Sequence, residues 1–127
     1  MTKQFSLFII ALAMAAATAP AGAADVRLDS YRHPQNENFR IFNQMYLDGV
    51  KGGLMSYNAF IKTHGGQPAF CLPDNFALTI EQTEEIMLKT ADKRAAKGEM
   101  LVALLLMAGL RDSFPCEKAG GRSADKP

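Results

Sequence analysis

The chain has 127 residues, 48% of them hydrophobic, with 14 Lys+Arg against 13 Asp+Glu, a net charge of +1 and two cysteines. That near-neutral balance argues against a nucleic-acid or anionic-membrane partner, since either calls for a basic excess. The length suits one small domain after an export leader is removed.

Residues 1–23 read as a secretory signal peptide. Lys3 supplies the positive start, Phe5–Ala16 the apolar run and Ala21-Gly22-Ala23 a small-residue cleavage site. Cleavage near Ala23 removes Lys3 alone, so 14 basic residues become 13 (14 − 1) against 13 acidic, and the mature charge is zero. The expectation is an exported, periplasmic domain of about 100 residues with no membrane span. In an oxidising compartment, two cysteines are expected to pair as an intrachain disulfide, Cys71 to Cys116. Closing so long a loop would contribute about 4 kcal/mol in the chain-entropy model.

Residues 24–36 are polar and irregular, with His33-Pro34 disfavouring α geometry, and read as an extended N-terminal segment. The helical domain spans 37–116. Phe39, Phe42, Tyr46, Gly49/Val50, Gly53, Tyr57 and Phe60/Ile61 recur at three- and four-residue steps, predicting a long first helix whose aromatic face packs into the core. It should stop at Gly65-Gly66. Gly49, Gly52 and Gly53 each cost a helix about 1 kcal/mol relative to Ala. They imply either a close approach by another helix or a kink.

The segment 64–78 carries Pro68 and Pro73, which argue against a central strand, and reads as a packed loop turning Phe70, Cys71, Leu72 and Phe76 inward. Thr79 and Gln82 form a capping-box pattern opening a second helix at Ile80. Its inner face should be Ile80, Thr83, Met87 and Thr90/Ala91, with Glu81, Glu84, Glu85 and Lys89 in water. Asp92–Glu99 is charged and connects to the last helix. From Met100 to Leu110 there is no polar side chain, and a stretch too short for a bilayer is expected to be buried in protein. Pro115 ends it, and Cys116 follows. The tail, 117–127, has no apolar residue larger than Ala and reads as disordered. The predicted fold is all-α: three principal helices, with a short extra turn allowed, a buried apolar C-terminal helix and one disulfide.

Catalytic constellations are missing. There is no HExxH, CxxC, GxSxG or phosphate loop, and the only histidines, His33 and His64, lie in turn-rich segments. No cofactor or metal ligand set is expected, and the domain reads as a binding protein rather than an enzyme.

Several motifs occur in a characteristic order: Tyr46-Leu47-x-Gly49-Val50, Phe70-Cys71-Leu72-Pro73, a helix start at Leu78-Thr79 with Gln82, and Phe114-Pro115-Cys116. Over residues 39–116 the chain resembles the Tai/Rap immunity proteins, which neutralise peptidoglycan amidase toxins delivered by type VI secretion. The resemblance implies a periplasmic all-α protein, often dimeric, that occludes its toxin's active-site cleft with a surface segment. The alternative is a periplasmic helical chaperone or structural module with no toxin partner. With the apolar helices committed to the core, the segments free to meet a partner are 62–68 and 92–99. Asp92, Lys93, Arg94, Lys97 and Glu99 are the candidate contact residues, because charge on a short, well-held connection suits docking into a cleft.

Overall fold

The computed structural model describes residues 25–117. The expected signal peptide and the expected disordered tail beyond Glu117 lie outside the described residues. Four helices and no strand are formed among them: α1 (Leu28–Arg32), α2 (Glu37–Thr63), α3 (Ile80–Lys93) and α4 (Val102–Ser113). The fold is all-α, as the periodicities imply. α4 packs most extensively on α3, and α2 lies against both. Their shared core is Leu47 of α2, Met87 and Ala91 of α3, and Val102, Leu105, Leu106 and Leu110 of α4.

The N-terminal segment is not extended throughout. Leu28 and Tyr31, three residues apart, are both buried, and burying both from one short segment takes a helical turn. The segment is also stitched to the start of α4. Leu28 N–H donates to Met100 O at 2.8 Å, Asp29 N–H to Gly98 O at 2.9 Å and Val102 N–H to Val26 O at 3.1 Å. Asn43 of α2, itself buried, donates from Nδ2 to Ser30 O at 2.9 Å.

α2 runs unbroken for 27 residues through Gly49, Gly52 and Gly53, so the helix does not end or restart at the glycines. Asn36 caps its start by accepting from Phe39 N–H at 3.1 Å, and it ends one residue before His64, with Gly65 at φ 74°. Its inner face differs from the sequence reading. Asn43 and Leu47 are buried and Tyr46, Val50, Leu54 and Met55 pack on the core, whereas Phe39, Phe42, Tyr57 and Phe60 are exposed. The reason is that the inner stripe contains two asparagines that serve backbone groups. A count of apolar residues therefore follows the aromatic side chains, which sit on another part of the cylinder. The close approach expected at Gly49 and Gly53 is also absent within the chain, since nothing lies within 4 Å of a Cβ built at either position.

The second asparagine, Asn58, anchors the long loop. Its Nδ2 donates to Phe70 O at 2.7 Å, and its Oδ1 accepts from the N–H groups of Ala69 at 2.7 Å and Phe70 at 3.4 Å. Phe70 is thereby driven into the core, with Leu78 also buried and Leu72 partly so. Phe76 instead stays half-exposed, its ring 5.7 Å from that of Phe114. Cys71 and Cys116 are bonded, and beside the disulfide Cys71 N–H donates to Phe114 O at 2.8 Å. The loop and the exit of α4 form one tied unit.

α3 opens with a complete capping box: Gln82 N–H donates to Thr79 Oγ1 at 3.2 Å and Thr79 N–H to Gln82 Oε1 at 3.0 Å. Thr83, Met87, Thr90 and Ala91 are its buried face. The two threonines satisfy their hydroxyls locally, on Thr79 O and Ile86 O, each at 2.7 Å. α4 buries Val102, Leu105, Leu106, Gly109 and Leu110. It is covered on that side only: Leu104 is 59% exposed and Met100 lies outside too. The close helix approach in this fold is at Gly109, where a Cβ would meet Thr90 Oγ1 at 2.5 Å and Ile86 Cγ2 at 2.6 Å.

Candidate interaction surfaces

Both cysteines are in the disulfide, so neither is a thiolate that could serve as a nucleophile. Among the described residues no group of three or more His, Cys, Asp or Glu is placed to hold a metal, and no helix is long and apolar enough to cross a membrane. The concavities are open surface grooves. One of about 580 Å³ lies between α1, the start of α2 and α3, lined by Tyr31, Arg32, His33, Arg40, Glu84 and Asp92. Its charges are largely spent within the molecule, Arg32 on Asp92 and Arg40 on Glu37. Tyr31 is buried beneath it with no hydrogen-bond partner of normal geometry for its hydroxyl. Burial, with the Glu84 carboxylate nearby as a secondary cause, holds that hydroxyl protonated well above the usual tyrosine range.

The connection between α3 and α4 is a braced edge. Ala95, at φ 47°, turns the chain after α3, with Ala95 N–H bonded to Asp92 O at 3.0 Å and Ala96 N–H to Ala91 O at 2.9 Å. Met100 N–H returns to Lys97 O at 3.0 Å, and the bonds to Leu28 and Asp29 hold the far side. Of the five candidate contact residues, three face partners within the chain. Asp92 pairs with Arg32 at 2.5 Å, Arg94 with Asp112 at 3.1 Å and Lys93 with Asp112 at 3.9 Å. Lys97 and Glu99 are exposed and make no ion pair among the described residues. The other free segment, 62–68, is exposed apart from partly covered Pro68, and it carries the positive-φ Gly65. Compared with known proteins, the chain matches no family model, no curated protein and no solved structure.

The surface that sequence reasoning missed is the outer face of α2. Phe39, Ile41, Phe42, Met45, Tyr57 and Phe60 are all exposed, with Met45 at 69% and Tyr57 at 61%. The signal that could have found it is the width of the apolar pattern. A helix lying on a core from one side needs one apolar stripe, and α2 carries aromatic residues well outside the stripe through Leu47 and Leu54.

Proposed function

We propose that this protein is an exported, periplasmic binding protein that neutralises a peptidoglycan amidase toxin by occluding its active-site cleft. The reading starts from the resemblance to Tai/Rap immunity proteins, whose motifs Phe70–Pro73 and Phe114–Cys116 are the two segments tied here by the disulfide and by the Cys71–Phe114 backbone bond. The observation that supports a blocking role is the bracing of the α3–α4 connection. Its backbone is fixed by hydrogen bonds to both flanking helices and to residues 26–29, so it can enter a cleft without ordering a loop. Lys97 and Glu99 are the side chains on that edge left for a partner, while Asp92, Lys93 and Arg94 face Arg32 and Asp112 within the chain.

The test is a titration of candidate cell-wall amidases with the mature protein. Stoichiometric loss of hydrolysis supports the proposal, and full activity in the presence of excess protein refutes it. Lys97→Glu with Glu99→Lys should weaken inhibition while leaving stability within about 0.5 kcal/mol, as exposed changes do. A client-holding role is the second reading, favoured by the exposed apolar face of α2. Suppression of client aggregation at acid pH, with no amidase bound, would rank it first.

A further inference from the structure

We propose that the groove between α1, the start of α2 and α3 receives an arginine side chain from a protein partner, held there by Glu84. The charges along the groove leave that carboxylate over. Arg32 is paired with Asp92 at 2.5 Å and Arg40 with Glu37, while His33 Nδ1 lies 3.2 Å from Asp29 Oδ1. Glu84 lines the same groove and is half-buried, yet it has neither an ion pair nor a side-chain hydrogen bond among the described residues. Arg40 is near enough to sense its charge but is committed to Glu37 and to Gln44 Oε1 at 3.3 Å. A half-desolvated carboxylate without a counter-charge is a cost that a cation entering the groove removes.

A second observation points to the same carboxylate. Tyr31 is only 7% exposed, lines the floor of the groove, and keeps its hydroxyl buried without a hydrogen-bond partner. Glu84 faces that hydroxyl without meeting it in hydrogen-bond geometry. A carboxylate has about four lone-pair sites on its two oxygens, so Glu84 can accept from Tyr31 on one side and from a cation on the other. A cation that fixes Glu84 therefore also gives an unpaired buried donor its acceptor. The form of the groove selects the cation. Among the described residues no cluster of carboxylates and histidines is arranged for a metal. Pro34 and Leu88 supply an apolar wall, against which the stem of a long basic side chain can lie, and about 580 Å³ gives it room. A guanidinium is more weakly hydrated than an ammonium and its planar donors match a carboxylate, so arginine suits a half-desolvated site. The groove opens at Asp92, where the 92–99 segment begins, so a protein seated on that edge can reach it. The site does not require that protein to be an amidase.

The test is a nuclear magnetic resonance titration of the mature protein with a blocked Gly-Arg-Gly peptide. The amides of Tyr31, Arg32, Glu84 and Leu88 should shift saturably, with a Kd on the order of millimolar for so small a probe. The same peptide with citrulline, which keeps the shape and removes the charge, should shift none of them. Glu84→Gln should weaken binding by about tenfold or more. The citrulline comparison is made on the unaltered protein, so it decides the matter even if that variant folds poorly. Tyr31 acts through Glu84 and is a positioning residue, which its own absorbance can report. The chain has three tyrosines and no tryptophan. Binding should therefore give a tyrosine difference spectrum that Tyr31→Phe abolishes while Tyr46 and Tyr57 remain. Absence of saturable shifts at these amides overturns the proposal, as do equal shifts with the citrulline peptide or binding that survives Glu84→Gln unchanged. Guanidinium ion binding as tightly as the peptide would make the groove a site for a free small cation, and the protein partner falls. None of these readouts involves an amidase, so this site and the immunity reading fail separately.

Discussion

Gly109 and Gly53 are both helical glycines, yet a side chain would have opposite consequences at the two. In α4, Gly109 sits against Thr90 and Ile86, and the backbone carbonyl of Ile86 lies 3.1 Å from where its Cβ would be. Gly109→Ala should therefore cost about 1–3 kcal/mol by overpacking, more than the helix propensity it gains, as read by urea denaturation. Tyr31 gives a prediction in pH. Its hydroxyl keeps its proton in the folded state beyond the ordinary value of 10.0, mainly because it is buried. The unfolded chain releases that proton near the ordinary value, so the contribution is intact below it and declines as pH rises past it. Thermal melts should fall on the alkaline side, and Tyr31→Phe should flatten that limb. An unchanged slope in the variant would show that another group governs it.

At the scale of elements, helix starts are where the chain speaks most plainly. The Thr79–Gln82 box satisfies two backbone donors of α3, and Thr79→Ala should lower stability by about 1 kcal/mol. Glu81 in the same turn is held below its ordinary value of 4.5, first by a hydrogen bond from its own backbone N–H and then by Thr79. Glu37 at the start of α2 is held low by Arg40. Both favour the folded state above the ordinary carboxylate value, and the contribution is lost as pH falls through their lowered values. Melts taken downward in pH should show that loss, and Glu81→Gln should reduce its steepness. The elements also show a limit of pattern reading. Phe42 and Phe60 are as apolar as Leu47 and Leu54, and only the location of α3 and α4 decides which pair is covered.

For the whole molecule, the decisive tie is between the loop after α2 and the exit of α4. Cys71 and Cys116 lie 45 residues apart in sequence with Cα atoms 4.9 Å apart, and Asn58 clamps the same loop from the other side. Cys116→Ser should lower stability by about 2–5 kcal/mol. Because Phe70 enters the core from that loop, its fluorescence-silent burial is best followed by hydrogen exchange at Cys71, whose N–H bonds Phe114 O. Protection at that amide equal to the unaltered protein's would mean the clamp alone suffices. The braced α3–α4 edge and the open α2 face are separate products of this architecture, one fixed by backbone pairing to residues 26–29 and the other left uncovered by it.

Composition, period and punctuation by themselves determined the helical class, the α2 stop at Gly65, the capping box of α3, the buried stripe through Thr83, Met87 and Ala91, and the pairing of the two cysteines. Each is local, or follows from a count so small that one outcome remains. The tertiary structure alone decided which side of α2 faces the core, which glycine is the tight one, and that residues 26–29 fold onto the start of α4. Those depend on where a distant helix lies, and an apolar side chain carries no mark of whether its neighbour will be protein or water. The same indifference is why Asn43 and Asn58 escaped the pattern: they are inner-face residues because of the backbone groups they reach, Ser30 O and Phe70 O, which only the folded chain brings near.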